Sequence, residues 1–498
     1  MESTARAGPS WSCEGFRVSL RQIPKPVGSR GLPGPAIAQQ PKSFALRILY
    51  VVHQFLPRHR AGTELYTFYL AREMVRRGHA VAVYATEIHS DQEQYGLRRG
   101  SYEGIPLFEV VHNHIFPTFR HTYRDKVMEQ HFEAILEETR PDLVHFQHLH
   151  LHSIGYIDLV AKRSIPMVYT LHEYILMCPR MGQLLRPGLE ICPGPEPRAC
   201  ARCAEGLAPP GPEDVPLEEP PRSGWDRLKD WFQGEGSSAQ DWRGDFVQPG
   251  DDPRLGAVIR RRQALARRLP KVDLFISPSA FLRQRFIDEG WIDADRIIHS
   301  DNGFPVELFD TVETAEGAQE QKIRFGFVGT IADFKGVHLL VEAFHTLEEP
   351  GVSCQIHGDL EVFPDYKERL LAMEGASAVE FRGPFEHKEI GRILSGIDVL
   401  IVPSLWFENS PLTIHEAFLA GVPVLTVDQG GMAELVEDGR NGLHFRMGDV
   451  DDLRQKIQRL CREPGLLEEL RRFPRLKTIA EDGETMEGRY RELLPAQS

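Results

Sequence analysis

The chain has 498 residues, of which 41% are hydrophobic and 26% are charged, values typical of a globular protein with two or three domains. Its formal net charge of −14 leaves no basic excess to neutralise phosphates, which argues against a nucleic-acid-binding protein. The sequence has no apolar run near the ~18 residues that span a bilayer, no signal-peptide pattern and an odd number of cysteines, so we expect a cytoplasmic location.

The first part of the chain predicts a leader followed by a parallel α/β domain. Residues 1–42 are rich in Pro, Gly, Ser and Arg without periodicity, and we expect them to be a disordered leader. LRILYVVHQF then predicts a buried strand, and LYTFYLAREMVRRG predicts a helix that ends at Gly78. Strands and helices continue to alternate through PDLVHFQH, IPMVYTLHEY and KVDLFISPS, which indicates a parallel sheet with right-handed crossovers. We assign this domain to residues 43–305.

A Cys/Pro-rich insertion interrupts this first domain at about residues 178–253, with a short helix predicted at WDRLKDWF. Cys200-x2-Cys203 has the spacing of half a zinc site, and Cys178 and Cys192 would complete four thiolate ligands. A structural zinc ion is one interpretation. Four reduced thiols in a flap of the first domain is the other.

A second βα series follows a polar stretch, ELFDTVETAEGAQEQ, that we expect to be the interdomain linker. Its strands are IRFGFVGT, VSCQIHG, VEFRG, VLIVPS and VPVLTV. The sequence therefore predicts an α/β fold of two Rossmann-like domains, the second at residues 306–475, with a C-terminal helix in residues 476–498.

The segment WFENSPLTIHEAFLAGVPVLTVDQGG is the most informative part of the chain. The run from Asp398 to Trp406 predicts a buried strand. Ser410 is a candidate N-cap, Pro411 fits the first helical position, and Gly421 ends the helix. A strand, a loop and a helix therefore meet here, in the arrangement that binds ligands at the carboxyl edge of open α/β sheets.

Two carboxylates flank this helix start. Glu408 lies in the loop at the strand's carboxyl end, and Glu416 lies about one turn into the helix. The backbone N–H groups of Leu412 and Thr413 would be unpaired donors, which form a ready anion site. Carboxylates beside an anion site suit a ligand that carries hydroxyl groups as well as phosphate, as a sugar nucleotide does.

The Glu408-x7-Glu416 spacing resembles the signature of the family-4 retaining glycosyltransferases of the GT-B fold. In that family the first glutamate contacts the donor sugar and the second contacts the ribose of the nucleotide. The resemblance extends from about Arg47 to Leu494 and implies two domains that face each other across a cleft. It also implies that the last helix crosses back to the first domain.

Other donor residues follow from the same resemblance. Lys335 precedes a helix start, where a cation can bind a diphosphate, and the family places a basic residue there against the leaving group. Thr330 stands where the family commonly has an arginine. Phe385 lies in the position of the family's base-binding loop. Gly62, in Ala61-Gly62-Thr63-Glu64, resembles the family's Gly-Gly-x-Glu loop, with an alanine in place of the first glycine.

The histidines of DLVHFQHLHLHS are candidates for contact with the transferred sugar. The family has a His-x-His at this place, and strict alignment puts Gln147 at its second position. We therefore assign the catalytic role to His148 and an acceptor role to His150, with simple packing as the alternative. His172 and Glu173, at the end of the next strand, are candidates for holding or deprotonating an acceptor hydroxyl, or for packing.

The sequence predicts a retaining, metal-independent glycosyltransferase that moves a hexose-type sugar from a nucleoside-diphosphate sugar to a sugar or lipid-linked acceptor. The resemblance implies that the donor's own phosphate accepts the proton, with no further cofactor, in polysaccharide or glycolipid assembly. A basic helix, RRRQALARRLPK, predicts either a solvated face or peripheral contact with the inner face of a membrane. The alternatives are a catalytically silent GT-B scaffold, which Thr330 and Gln147 favour, and a GT-B epimerase or phosphorylase.

Overall fold

The computed structural model describes residues 45–89, 91–180, 182–211, 251–309 and 323–494. The predicted leader, the WDRLKDWF helix and most of the predicted linker lie outside these residues. The described chain divides into two compact units. Of the described residues, those within 45–184, 192–304 and 477–494 belong to the amino-terminal unit, and those within 185–191 and 305–476 belong to the carboxyl-terminal unit.

Strands and helices alternate along most of the described chain. The strands are β1 (Arg47–Val52), β2 (Ala80–Glu87), β3 (Leu97–Tyr102), β4 (Ile105–Val111), β5 (Leu143–Phe146), β6 (Met167–Thr170), β7 (Leu185–Arg186), β8 (Glu190–Ile191), β9 (Leu274–Ser277), β10 (Ile297–His299), β11 (Ile323–Val328), β12 (Val352–His357), β13 (Glu380–Gly383), β14 (Val399–Val402), β15 (Val424–Val427) and β16 (Gly442–Phe445). The helices are α1 (Gly62–Arg76), α2 (Lys126–Thr139), α3 (Tyr156–Lys162), α4 (Pro197–Cys203), α5 (Leu255–Ala266), α6 (Ala280–Asp288), α7 (Val337–His345), α8 (Pro364–Ala372), α9 (Ile390–Ser395), α10 (Leu412–Leu419), α11 (Gly430–Leu435), α12 (Val450–Arg462), α13 (Leu466–Glu469) and α14 (Ile479–Leu493).

The amino-terminal unit is built on one sheet with the strand order β10-β9-β6-β5-β1-β2-β4-β3. Its neighbouring strands pair in parallel, except that β3 pairs antiparallel with β4. The central strands β5 and β6 are buried along their whole length, as the continuous apolar runs in their sequences predict. This sheet confirms the predicted parallel α/β class for the first half of the chain.

The carboxyl-terminal unit has a second parallel sheet, with the order β13-β12-β11-β14-β15-β16. Its strand β14 covers Val399–Val402 and is shorter than the predicted run from Asp398 to Trp406. The strand ends before Pro403, which has no backbone N–H to continue a ladder. The loop that follows is therefore longer than predicted, and it carries the side chains described below.

Helix α14 joins a buried polar network of the amino-terminal unit. The hydroxyl of Tyr490 lies 2.7 Å from Nδ1 of His145 and 3.1 Å from the hydroxyl of Tyr50. On the same helix, Asp482 accepts a hydrogen bond of 2.9 Å from the hydroxyl of Tyr66. Helix α14 is thus hydrogen-bonded to β1, β5 and α1 through buried groups. Breaking these bonds costs much free energy, because it leaves buried polar groups without partners.

The burial of His145 predicts a pH dependence of stability. Desolvation lowers the pKa of this histidine to about 3, so the folded protein keeps it neutral. The unfolded chain takes up a proton near pH 6.5. The contribution of His145 to the free energy of unfolding is therefore complete above about pH 6.5 and is lost as the pH falls toward 3.

We expect the free energy of unfolding of the wild type to fall by about 1.4 kcal/mol per pH unit more than that of His145→Gln below about pH 6. Glutamine can keep the bonds to Tyr490 and Thr170 but does not titrate. Urea unfolding of both proteins at neutral and mildly acidic pH measures this difference. Equal slopes for the two proteins would contradict a neutral, buried His145.

Candidate functional site

The segment between β14 and α10 starts its helix one residue later than predicted. Pro411 has the extended backbone of a cap residue, with ψ of 119°, and α10 begins at Leu412. The predicted Ser410 N-cap and the predicted helical position of Pro411 are therefore wrong, because this extended backbone keeps the proline out of the helical region. Leu412 and Thr413 still form the start of the first turn, where backbone N–H groups have no partner within the helix.

Glu408 lies in the loop after β14 and is only 6% exposed. Its Oε1 accepts three hydrogen bonds, from Lys335 Nζ at 2.5 Å, Ser404 Oγ at 2.7 Å and Trp406 Nε1 at 2.9 Å. The Lys335 ammonium also lies 5.5 Å from the centre of the Trp406 ring. The structure therefore brings together two residues, Lys335 and Glu408, that the sequence placed at the donor.

Two glycines allow this loop to pack closely against α11. The backbone N–H of Gly431 donates a bond of 2.9 Å to the carbonyl of Glu408. A Cβ atom on Gly431 would lie 1.4 Å from the carbonyl oxygen of Asn409, and one on Gly430 would lie 3.0 Å from that of Glu408. Only residues without a side chain fit here, which explains the Gly430–Gly431 pair after β15.

Lys335 reaches Glu408 through a similar close approach. It ends a short 3-10 turn, Asp333–Lys335, and Gly336 follows with φ of +73°. A Cβ atom on Gly336 would lie 2.1 Å from the carbonyl oxygen of Pro403. The turn that carries Lys335 is thereby packed on the end of β14.

Glu416 faces a partner that the sequence did not predict. This glutamate is 4% exposed, and its Oε1 lies 2.6 Å from Nε2 of His387. His387 begins a short turn after β13, where no motif marks it. Phe385, two residues earlier, is half-buried, and its ring centre lies 6.5 Å from that of His357. Thr330 is exposed after β11.

The predicted residues of the amino-terminal unit separate into two groups. His148 Nε2 lies 3.2 Å from Glu173 Oε1, and the backbone N–H of His150 donates to His148 Nδ1 at 3.0 Å. His172 instead lies 2.8 Å from Oε1 of Gln147. Glu173 and His172 are thus neighbours in sequence with different partners. Gly62 is the first residue of α1.

Sequence reasoning missed His53 at this edge of the sheet, and it quoted Glu64 only as part of a loop motif. His53 directly follows β1, and its Nε2 lies 3.3 Å from Oε1 of Glu64 in the first turn of α1. The ring centres of His53 and His148 are 4.2 Å apart. The signal that could have found His53 is its place, because polar residues at the carboxyl end of a parallel strand are candidates for ligand contact.

The four cysteines of the insertion all lie in the described residues, and none of them forms a disulfide bond. Burial raises the pKa of Cys178 to about 11 and that of Cys200 to about 12. The sulfur of Cys192 lies 3.2 Å from the carbonyl oxygen of Gly194. Cys200 and Cys203 both lie on α4, one turn apart. Within the described residues, no group of three or more His, Cys, Asp or Glu side chains is arranged to hold a metal ion, so the zinc ion is not confirmed.

Part of the predicted basic helix faces the protein interior. Arg261 is 5% exposed and donates to the backbone carbonyls of Ile175 and Leu176. Arg268 pairs with Asp158 at 2.7 Å. These two arginines are therefore unavailable for a surface patch. Among the described helices, none is both long and apolar enough to cross a membrane.

Two family models match this chain. The model described as glycosyl transferases group 1 matches residues 309–475, and the model described as glycosyltransferase family 4 matches residues 60–203. Together they match more than half of the chain, with one model in each half.

The curated relatives match over part of their length. An alpha-D-kanosaminyltransferase of Streptomyces kanamyceticus is 27% identical over 38% of this chain and 52% of its own length. Sulfoquinovosyl transferase SQD2 of Arabidopsis thaliana is 26% identical over 38% of each chain. The amylovoran biosynthesis glycosyltransferase AmsK of Erwinia amylovora is 26% identical over 41% of this chain and 53% of its own length. This chain therefore spans about half, or less, of the curated relatives that it matches.

Solved structures share the fold over nearly the whole chain. A sucrose-phosphate synthase of Thermosynechococcus elongatus has a TM-score of 0.60 at 16% identity and covers 90% of this chain and 99% of its own. Anabaena HepE, solved with UDP and glucose, has a TM-score of 0.51 at 17% identity and covers 90% of this chain and 97% of its own. At such low identities these matches establish the fold alone.

We expect Gly431→Ala to lower the free energy of unfolding by about 1–3 kcal/mol, because its Cβ would overlap the carbonyl of Asn409 and displace the loop that carries Glu408. Gly488→Ala is the control, since nothing lies within 4 Å of a Cβ at that position in α14. Thermal unfolding of both variants measures the effect. A Gly431→Ala protein as stable as the control would contradict the close packing described here.

Proposed function

Since the chain belongs to the group 1 and family 4 glycosyltransferases and has their GT-B fold, we propose that it transfers a sugar from a nucleoside-diphosphate sugar to an acceptor hydroxyl with retention of configuration. The observation that carries this proposal is the cluster around Glu408 in the carboxyl-terminal unit. It combines a buried carboxylate in the loop before α10, a lysine from the turn after β11 and the first N–H groups of α10. These are the groups that a sugar, its diphosphate and its ribose require.

Each donor residue has a distinct proposed role. Glu408 accepts hydrogen bonds from hydroxyls of the donor sugar, and Glu416, oriented by His387, accepts those of the ribose. Lys335 and the backbone N–H groups of Leu412 and Thr413 bind the diphosphate. Lys335 Nζ lies 2.5 Å from Glu408 Oε1. Donor binding therefore replaces part of this ion pair by an interaction between Lys335 and the phosphate. Phe385 and the exposed Thr330 stay predicted contacts of the nucleotide and the donor.

The proposed reaction needs positioning and charge stabilisation more than a protein nucleophile. The acceptor oxygen forms a bond to the anomeric carbon while the bond from that carbon to the diphosphate oxygen breaks. The departing diphosphate accepts the hydroxyl proton on the same face of the sugar. Lys335 and the helix N–H groups stabilise the negative charge that develops on the leaving group, and this supports a mechanism independent of metal ions.

The amino-terminal unit is proposed to hold the acceptor. His148 and Glu173 form one polar pair at the end of β5 and β6, and His150 is bonded to the same histidine. His172 is bonded to Gln147, which supports a positioning role for it within the unit. We retain His148 as the proposed contact to the transferred sugar. The names of the relatives support a role in polysaccharide or glycolipid assembly, although they concern other proteins.

A structural zinc ion held by the four cysteines of the insertion stays a prediction. Its support is the Cys200-x2-Cys203 spacing on α4, which puts both thiols on one helix face. In the described parts of the chain, the sulfur atoms of the four cysteines do not form a group of three or more metal ligands. Metal analysis of the purified chain decides the question, because a zinc-free protein with normal stability would contradict it.

The donor proposal predicts that one nucleotide sugar binds selectively and that Glu416→Ala weakens this binding by about tenfold or more, because a hydrogen bond to a charged group is lost. Calorimetry with UDP-, GDP-, ADP- and dTDP-sugars measures this. Glu468→Ala, which removes an exposed glutamate of the same unit, is the control and should bind like the wild type.

Three outcomes of this titration are informative. Selective binding with slow release of free nucleotide supports a live transferase. Binding without any release of nucleotide, even when acceptors are added, supports the silent scaffold instead. If none of the nucleotide sugars binds, or if Glu416→Ala binds as well as the control, the donor site proposed around Glu408 and Glu416 is wrong.

A further inference from the structure

Four titratable side chains of the amino-terminal unit converge on one edge of its sheet. His53 follows β1, Glu64 lies in the first turn of α1, His148 follows β5, and Glu173 follows β6. Because β6, β5 and β1 are adjacent in the sheet and parallel, the carboxyl ends of all three strands lie side by side. We call these four residues the His–Glu quartet.

The quartet consists of two His–Glu pairs, and the imidazole rings of the two pairs are in contact. His53 Nε2 lies 3.3 Å from Glu64 Oε1, and His148 Nε2 lies 3.2 Å from Glu173 Oε1. The two imidazole rings have their centres 4.2 Å apart, which joins the pairs into one cluster. The backbone N–H of His150 donates a hydrogen bond to Nδ1 of His148, so both nitrogens of the His148 ring have partners.

Several polar atoms of this cluster are buried without a partner. In the part of the chain that the structure describes, Nδ1 of His53, Oε2 of Glu64, Oε2 of Glu173 and Nε2 of the neighbouring His150 make no hydrogen bond. Glu64 is only 2% exposed. A buried polar atom left unpaired costs about 1–3 kcal/mol, so four in one place mark a site that a ligand completes.

The chemistry of the cluster selects an uncharged ligand. Burial lowers the pKa of His53 and His150 well below the usual value, so these rings are neutral. Burial raises the pKa of Glu64 and Glu173, which shows that the surroundings disfavour charge. The nearby Arg261 has its guanidinium committed to the carbonyls of Ile175 and Leu176. Neutral imidazoles and carboxyl oxygens can each bond hydroxyl groups, whereas a phosphate would meet two carboxyls.

We propose that the His–Glu quartet is the binding site for the hydroxyl groups of an uncharged carbohydrate or polyol acceptor, and not for a phosphate-bearing one. This inference rests on the proposed transferase function and names the class of its second substrate. His53 and Glu173 form the open side of the site, since their side chains keep 18% and 13% of their surface exposed. Glu64 and His148 form its buried floor.

Saturation-transfer NMR on the full chain tests the proposal with three kinds of probe. The neutral probes are methyl glycosides of glucose, galactose, mannose and N-acetylglucosamine, together with myo-inositol. Glucose 6-phosphate and glucosamine supply the matched anionic and cationic probes. We expect signals from at least one neutral probe and none from the charged pair.

Glu64→Gln and Glu173→Gln should each reduce the neutral-probe signal by about tenfold, because each removes a carboxyl acceptor at nearly constant size. Glu137→Gln, which changes an exposed glutamate of α2, is the control and should keep the signal. Two variants from different elements guard against a folding defect in one of them, which thermal unfolding reveals.

The outcomes separate this inference from the proposed function. Preferred binding of glucose 6-phosphate or of glucosamine, unchanged signals in both variants, or no signal from any neutral probe would overturn the quartet as a hydroxyl site. Nucleotide-sugar titration of the wild type and of Glu416→Ala tests the donor proposal separately, because Glu408 and Glu416 lie in the other unit. A wild type that binds neutral probes but no nucleotide sugar would support the quartet and contradict the donor proposal.

Discussion

The carboxyl-terminal unit is organised around the burial of one carboxylate. Glu408 is almost inaccessible, and a charge removed from water must be paired and hydrogen-bonded if the fold is to tolerate it. Lys335 and two neutral donors on the same oxygen meet that requirement. Their geometry in turn demands backbone contacts that only glycine permits, at Gly336 against Pro403 and at Gly431 against Asn409. The proposed donor site and its closely packed glycines thus depend on the same buried ion pair.

The amino-terminal unit has a polar cluster at the same edge of a similar sheet, but the charged and neutral groups of the two clusters differ. Both units place polar residues beyond the carboxyl ends of parallel strands, where the crossover connections leave a crevice. In one unit an ammonium and helix N–H groups support the proposed anionic ligand, and in the other the lowered pKa of His53 and the raised pKa of Glu64 support the proposed hydroxyl ligand. The proposed transfer from a charged donor to an uncharged acceptor accounts for this contrast.

The sequence predicted the sheets and the positions of Glu408 and Glu416 around one helix start because these signals are local. Continuous apolar runs marked the buried strands, and the spacing from Glu408 to Glu416 placed both carboxylates around one helix start. It missed His387 and His53, because their partners Glu416 and Glu64 are 29 and 11 residues away and are reached only through tertiary folding. The single-residue error at Pro411 arose because a proline suits both a cap and a first turn. The burial of Arg261 was not predicted either, because a count of basic residues does not show which side chains face the interior.

The anomeric configuration of the product tests the central claim most directly. With an α-linked nucleoside-diphosphate sugar as donor, proton NMR of the isolated glycoside distinguishes the two outcomes by the coupling of its anomeric proton. If the acceptor oxygen attacks the face of the sugar from which the diphosphate leaves, as proposed, the product is an α-glycoside. A β-glycoside would contradict the proposed mechanism, because it requires a protein base that activates the acceptor on the opposite face of the sugar.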